Sequence, residues 1–316
     1  MKTFDFIKFR KIALIIAAAF LAAGLLFNII FGVELDISFK GGTLLKYSYE
    51  GTVDKDALLT FVNKQNGFSE AQIDLDESGE NGFKVITVSL ASDVDATTQT
   101  SFIDVLKKEY PKNAIKELQT NSLQASYGRA FFAKCLVAVA LASIFLVIYV
   151  GLRFRRIGGV SAGVMALLAL LNDILIAYFT FVVFRIPLND NFVAVVLAIL
   201  GYSLNDTIVI YDRIRENRKK MDNKCGIAEI VNLSLNQSLT RNIITSLCVF
   251  IAIGTVAVVA LITSLESIIS FAIPMTVGVV AGFFSSTFLC TPLWALWVEH
   301  NQKRAALKSS NKKAKR

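Results

Sequence analysis

The chain has 316 residues, of which 54% are hydrophobic and only 18% are charged, and its mean hydropathy is +0.55. Soluble domains average about 25% charged residues, so the composition argues against a soluble protein and predicts a membrane protein. The net charge is +8, and the basic residues stand beside apolar segments. Such clusters are typical of chain ends that face anionic membrane lipid, and we therefore expect no nucleic-acid partner.

Six apolar stretches are each long enough to cross the ~30 Å core of a bilayer, which takes about 20 helical residues. They are Ile12–Val33, Phe131–Leu152, Gly158–Phe184, Phe192–Tyr211, Ile243–Ile262 and Ile268–Val298. The first follows residues 1–11 and reads as a retained anchor, because it is too long for a signal peptide and lacks a cleavage site. The last is long enough to be tilted or bent, and Pro274 near its start is a residue that bends helices.

The distribution of charge predicts the orientation. Residues 34–128 hold 15 acidic and 9 basic residues, a net charge of −6, so the rest of the chain carries +14. With six spans, all four basic clusters fall on the same side of the membrane. They lie near Lys8, near Arg155, near Arg218 and in the tail 299–316. The positive-inside rule makes that side cytoplasmic, so we expect a multi-pass membrane protein with both termini in the cytoplasm.

Residues 34–128 predict a small extracytoplasmic α/β domain between the first and second spans. Strands are expected at Thr43–Tyr49, Ala71–Leu75, Phe83–Leu90 and near Ile115–Leu118, with helices at 54–65, capped by Asp54, and at 97–110. The order β-α-β-β-α-β is that of a ferredoxin-like split βαβ unit. Its acidic residues are dispersed, which favours a binding or mechanical domain over an enzyme.

The most informative segment is Gly201–Arg213, because it carries Asp206 inside an apolar span. At 1.5 Å per residue, Asp206 lies ~10 Å from Arg213, in the cytoplasmic half of the bilayer. A carboxylate there costs roughly 2.5–3.5 kcal/mol, which favours a group that binds a proton or an ion. Asn205 precedes it, and a second pair, Asn172-Asp173, lies deeper in the preceding span. Each acid is either a titrating group on a proton path or a structural tether.

Arg241, at the cytoplasmic end of the fifth span, is a candidate partner for these acids. An arginine does not release its proton, so its expected role is to tune or gate a carboxylate, although it could instead anchor the helix end. Thr245 and Ser246, one turn further in, could hold water, donate to a carboxylate or simply pack. The spacings Gly159-x-x-x-Gly163 and Gly278-x-x-x-Gly282 allow close helix contact.

Four cysteines and one histidine complete the inventory of reactive side chains. Cys135, Cys225, Cys248 and Cys290 lie outside the 34–128 domain at spacings that fit neither a disulfide framework nor a metal site, and His300 stands alone beyond the last span. We therefore expect no metal and no cofactor.

Three segments together resemble the SecF subunits of the SecD/SecF family, a branch of the RND-type superfamily. Residues 201–217 read GYSLNDTIVIYDRIREN and resemble that family's signature, and residues 234–246, SLNQSLTRNIITS, resemble its next cytoplasmic element. The segment Phe39-Lys-Gly-Gly-Thr43, with its Gly41-Gly42 pair, resembles the Asp-Phe-x-Gly-Gly element that leads into the outer domain. Here Ser38 takes the place of the acid, which stands nearby at Glu34 and Asp36 instead.

The resemblance implies an accessory subunit of the Sec translocase, driven by the proton motive force. Asp206 matches the family's proton-pathway aspartate and Arg241 its partnering arginine. The implied partners are SecD, the SecYEG channel, the translocating preprotein and membrane lipid. RND-type machines need two six-span halves and this chain supplies one, so an obligate partner is implied. The alternatives are a small-molecule exporter of RND type and a non-transporting scaffold subunit, and sodium remains an alternative to the proton.

Overall fold

The computed structural model describes residues 4–36, 39, 42–65, 68, 71–76, 84–90, 94–123, 125–221, 225–263 and 265–314. In chain order its elements are α1 (Phe6–Phe31), β1 (Gly42–Tyr49), α2 (Lys55–Asn63), β2 (Gln72–Asp76), β3 (Lys84–Leu90), α3 (Ala96–Glu109), β4 (Lys116–Leu123), α4 (Ala125–Arg153), a 3₁₀ turn (Arg155–Ile157), α5 (Gly159–Val183), α6 (Asp190–Lys220), α7 (Ile227–Ile262), α8 (Glu266–Phe284), a π-helical segment (Ser285–Cys290) and α9 (Thr291–Ala314).

The domain between the first two spans is a four-stranded sheet carrying two helices, as predicted. All neighbouring strands are antiparallel, and their order across the sheet is β2-β3-β1-β4. This is the ferredoxin-like arrangement expected from the order β-α-β-β-α-β. Alternate residues of β1 are buried because one sheet face packs on α2 and α3: Leu45 and Tyr47 meet Leu58 of α2 and Phe102 of α3 within one core.

Side-chain caps fix where the two helices of this domain begin. Asp54 accepts a hydrogen bond from the backbone of Asp56, as the sequence predicts for the first helix. Asp95 caps α3 and accepts from the hydroxyls of Thr97 and Thr98. These bonds favour the charged carboxylate and lower the pKa of Asp95 to about 2.

Within the described residues, six helical segments are long and apolar enough to cross a membrane, in agreement with the six predicted spans. Several run beyond the apolar stretch that predicted them. Helix α7 begins at Ile227 rather than near Ile243, and α6 continues to Lys220. The added turns are amphipathic: Ile227, Ile230 and Val231 of α7 are buried. A helix therefore forms there without a bilayer to favour it.

The spans are buried to very different degrees. We compare the most apolar 18 residues of each span. Of these, 56% are buried in α5, 50% in α6 and 44% in the last span, whereas 11% are buried in α1, 11% in α4 and 17% in α7. The first three therefore form the centre of the bundle, and the other three lie around it with broad apolar faces uncovered.

Glycines let neighbouring helices of the bundle approach one another closely, as the small-residue spacings predict. A Cβ atom on Gly159 would overlap the carbonyl oxygen of Gly151 on α4, and one on Gly278 would overlap the side chain of Ile199 on α6. The irregularity of the long last span lies further along than Pro274. Helix α8 continues through Pro274, and the hydrogen-bond pattern changes only at Ser285–Cys290.

Candidate functional site

Asp206 lies in the middle of α6, on the face that the bundle covers. Its neighbours at helical spacing, Ser203 and Ile210, are also buried, and Asp206 itself is 1% exposed. The carboxylate accepts a hydrogen bond of 3.4 Å from the hydroxyl of Ser246 on α7. Among the described residues, Ser246 is the one hydrogen-bond donor of this carboxylate, so an ionised Asp206 is sparingly stabilised by the protein.

Arg241 stands about one turn before Ser246, the donor to Asp206, on α7. The described residues contain no ion pair between Arg241 and Asp206 at 4.0 Å or less, and the Arg241 side chain is exposed. Thr245 is half-buried, and its hydroxyl donates to the carbonyl of Arg241 rather than to a carboxylate. Of the two hydroxyls that the sequence singled out here, only that of Ser246 reaches an acid.

Asp173 of α5 is held quite differently. It is fully buried, and its Oδ2 accepts from the hydroxyls of Ser203 on α6 at 2.6 Å and Ser285 in the π-helical segment at 2.8 Å. The amide of Asn172 lies 3.4 Å from the other oxygen. Three elements therefore supply donors to one carboxylate, which stabilises its charged form without a cation. Asn205, the counterpart of Asn172, is exposed.

A set of buried hydroxyls extends this site along α6. The Ser286 hydroxyl lies 3.3 Å from that of Ser203 and accepts from Thr207 at 2.9 Å. Ser286 also donates to the backbone carbonyl of Ser203 at 2.9 Å. Sequence reasoning missed Ser203, Ser285 and Ser286. The available signal was the run Ser285-Ser286-Thr287 inside an apolar span, together with Ser203 one turn before Asp206.

The chain that leads into the α/β domain is attached to the membrane bundle. Phe39 is buried against Phe131 and Phe132 of α4, with ring centroids 5.9 and 4.9 Å away. Gly42 opens β1 at φ 143°, a conformation that favours glycine. Gly41 and Ser38 lie outside the described residues.

A short backbone bridge ties this segment to the loop before α6. The backbone amide of Leu188 donates to the backbone carbonyl of Glu34 at 2.8 Å. The backbone amide of Asp36 donates to the backbone carbonyl of Leu188 at 2.9 Å. Arg185 of the same loop pairs with Glu34 at 3.6 Å. Leu188 is two residues from the start of α6, so the bridge lies directly above the helix that carries Asp206.

The part of the chain that the structure describes contains no group of three His, Cys, Asp or Glu side chains placed to hold a metal ion. The two carboxylates occupy separate positions: Asp206 faces α7, whereas Asp173 faces α6 and the π-helical segment. The chemistry available at both is the gain and loss of a proton or small cation.

Comparison with known proteins identifies the family. The profile described as "Protein export membrane protein SecD/SecF, C-terminal" matches residues 102–300, which contain Asp173, Asp206 and Arg241. The chain belongs to the SecD/SecF family. A protein translocase subunit SecF from Alicyclobacillus acidocaldarius is 31% identical over 304 residues, covering 96% of this chain and 95% of that protein.

SecDF proteins of this family contain the same fold within a longer chain. The SecDF subunit of Bacillus subtilis is 32% identical over 303 residues, which are 95% of this chain and 39% of that protein. The crystal structure of SecDF, a translocon-associated membrane protein, from Thermus thermophilus matches with a TM-score of 0.78 at 24% identity, over 94% of this chain and 39% of that one. This chain therefore spans about two fifths of the SecDF proteins it resembles and nearly all of the SecF protein.

Proposed function

We propose that this SecD/SecF family member is an accessory subunit of the Sec protein translocase that uses the proton motive force to promote preprotein export. Its partners in this proposal are SecD, the SecYEG channel and the translocating preprotein. The names of the relatives support the role in protein export. The coupling to protons rests on the site described above.

One observation carries the proton-coupled function: the buried carboxylate of Asp206. A charged group there is costly, and Ser246 offers it only one long hydrogen bond. Arg241 stands about one turn before that serine on α7 and, among the described residues, forms no ion pair with the carboxylate. A carboxylate in this balance exchanges its proton readily. Each proton that crosses the membrane releases ~2.3 kcal/mol per 100 mV of potential.

The proposed orientation places the α/β domain on the outside of the bacterial cytoplasmic membrane and both termini in the cytoplasm. The acidic balance of residues 34–128 and the positive charge of the remainder support it. The domain then has a mechanical or binding role toward the emerging preprotein. Because the chemistry is proton transfer alone, the proposal assigns no enzymatic activity, cofactor or metal to the chain and gives it no nucleic-acid partner.

Exposed polar residues in the membrane support an obligate partner. Asn205 of α6 is exposed at membrane depth, Arg241 is exposed at the cytoplasmic end of the fifth span, and Thr245 one turn further in is half-buried. Polar groups at this depth normally face protein or a water-filled cavity rather than lipid. A second six-helix half, of the SecD type, would cover them.

The test replaces Asp206 by Asn in membrane vesicles that contain SecYEG, SecD and this chain. We expect Asp206→Asn to abolish the export that depends on a proton gradient while leaving membrane insertion and SecD association intact. The matched control is Asp212→Asn on the same helix, because Asp212 is a partly exposed carboxylate paired with Arg153 and Arg215. Wild-type export by Asp206→Asn would overturn the mechanism and favour a scaffold role.

A further inference from the structure

We propose that Asp173 is a second proton-binding group, which exchanges its proton through a relay of buried hydroxyls formed by Ser203, Ser286 and Thr207. This inference rests on the proposed proton-coupled function. It assigns Asp173 a route of its own, separate from Asp206, and names the side chains that form it.

The relay follows one face of α6. Ser203 and Thr207 are four residues apart and therefore lie on the same side of the helix. The Ser286 hydroxyl bridges them, 3.3 Å from Ser203 and 2.9 Å from Thr207. Ser203 in turn contacts the Asp173 carboxylate at 2.6 Å. The three hydroxyl groups connect the carboxylate to a point one helical turn away, and each belongs to a residue that is at most 2% exposed.

The π-helical segment explains why two consecutive serines reach this site. A π-helical turn contains more residues than an α-helical turn, so it changes which side chains face a neighbouring helix, and such turns occur frequently at functional sites. Here Ser285 donates to Asp173, and Ser286 contacts both Ser203 and Thr207. The Ser286 carbonyl accepts from the Thr291 hydroxyl at 3.0 Å, which holds the turn in place.

The far end of the relay approaches an open cleft. Tyr211, four residues after Thr207 on α6, has its hydroxyl 3.3 Å from the Cys290 thiol and 3.4 Å from the carbonyl of Ala162. Ser161, the residue before Ala162, lines a cleft of about 680 Å³ between α4 and α5, which Arg155 also lines. With the proposed orientation this cleft opens toward the cytoplasm, where water supplies and accepts protons.

The proton balance of the relay is simple. The acidic proton of Asp173 passes to the Ser203 oxygen as the proton of Ser203 passes to Ser286, that of Ser286 to Thr207, and that of Thr207 to water on the side of the cleft. Every hydroxyl is neutral before and after the transfer, so only Asp173 changes its charge. The titratable groups beside the relay are Cys290 of the π-helical segment and Tyr211 of α6, and Asp206 lies on the same helix. No Lys, Arg or His is hydrogen-bonded to the network within the described residues.

The relay does not include Asp206. Asp206 bonds to Ser246 on α7, and no hydrogen bond among the described residues joins it to Ser203, Ser286 or Thr207. The two acids are therefore connected to different helices, which allows each to be measured without the other.

The test is infrared difference spectroscopy of the full chain with its SecD partner in lipid, following the carbonyl band of a protonated carboxyl group. In an Asp206→Asn background, we expect one buried band that disappears when Asp173→Asn is added. Ser286→Ala should slow hydrogen–deuterium exchange of this band about tenfold or more, since ~1.4 kcal/mol on a barrier gives that factor. Ser286→Thr, which keeps the hydroxyl, should restore the rate.

Thr180→Val is the matched control, because Thr180 is a buried hydroxyl of α5 that bonds only to the carbonyl of Ile176. It should leave the exchange rate unchanged. The relay would be overturned if this exchange rate were the same in Ser286→Ala and in the wild type. It would also be overturned if the Asp173 band did not respond to pH, or if it responded to sodium in place of pH. If Ser286→Ala does not fold, Thr207→Val tests the same path. Failure of the proposed function has a different signature, namely proton-dependent export that survives Asp206→Asn.

Discussion

The two intramembrane carboxylates differ in the number and quality of their hydrogen bonds. Asp173 accepts two short bonds and one long bond from three elements, whereas Asp206 accepts a single bond of 3.4 Å. Hydrogen bonds to a charged group contribute about 1.5–3 kcal/mol each, and losing a donor leaves the buried charge less compensated. The donors of Asp173 should therefore matter for folding as well as for any proton exchange.

Ser285→Ala removes one of these donors without touching the relay through Ser286. We expect it to lower the free energy of unfolding by about 2 kcal/mol, because the Asp173 carboxylate then loses a short charge-assisted bond. The measurement is reversible unfolding of the purified chain in mixed micelles. Thr245→Val, which removes a hydroxyl bonded to its own helix, is the control and should cost less than about 0.5 kcal/mol. Equal losses in the two variants would show that the bond to Asp173 contributes nothing.

At the scale of single residues, the sequence predicts the two acids but not the serine and threonine hydroxyls that bond to them. Asp173 and Asp206 stand out because a carboxylate in an apolar span is costly wherever it points. Serine and threonine carry no such cost, since each can bond to the carbonyl four residues earlier, as Thr245 does. Only the π-helical segment, which has no sequence signature of its own, reveals that Ser285 and Ser286 face Asp173.

At the scale of elements, close helix contact depends on a few glycines. Helices α4 and α5 meet where Gly151 faces Gly159, and further along where Gly163 comes near the carbonyl of Val147, which would lie 3.2 Å from an added Cβ. Because these neighbours are backbone atoms, no side-chain rotation can relieve the overlap. A larger residue must separate the helices themselves.

Gly159→Ala should destabilise the α4–α5 hairpin by about 1–3 kcal/mol, the range for overpacking a tight contact. The matched control is Gly254→Ala in the middle of α7, where an added Cβ meets nothing within 4 Å. Alanine is the better helix former by up to ~1 kcal/mol, so the control should be neutral or slightly stabilising. Thermal unfolding of both variants in detergent gives the comparison. A neutral Gly159→Ala would contradict the close approach.

Sequence patterns predicted the elements of the α/β domain well but placed the ends of the spanning helices poorly. Alternation in β1 and the apolar stripe of α2 both follow from one-sided burial, which leaves a clear trace in the sequence. The first turns of α7 are polar on one face because they project beyond the apolar stretch. A prediction from hydropathy alone therefore begins this helix near Ile243. Their apolar stripe, beginning at Ile227 and Ile230, was available as a signal.

For the whole molecule, the exposed face of α7 is the feature that calls for a partner. Arg241, Thr245 and Cys248 recur at helical spacing along one side of α7, where Arg241 and Cys248 are exposed and Thr245 is half-buried. The exposed side of α1, in contrast, is apolar, as at Ile15, which is 68% exposed. Lipid suits the second surface, whereas a charged group such as Arg241 on the first normally faces protein or water.

A nitroxide label on Cys248, with the other three cysteines replaced by Ser, tests this assignment in lipid bilayers. We expect its collision rate with dissolved oxygen to fall several-fold when SecD is added, because a covered site excludes the lipid-soluble probe. A label at Ile15→Cys is the control and should remain accessible. An unchanged rate at Cys248 in the assembled complex would place the partner on a different face.

The bridge between Leu35 and Leu188 has a mechanical consequence. It fastens the stem of the α/β domain to the first turn of α6 through two backbone hydrogen bonds, and backbone bonds do not depend on side-chain rotamers. A displacement of Leu188 with the start of α6 must therefore either carry Glu34 and Asp36 with it or break these two bonds.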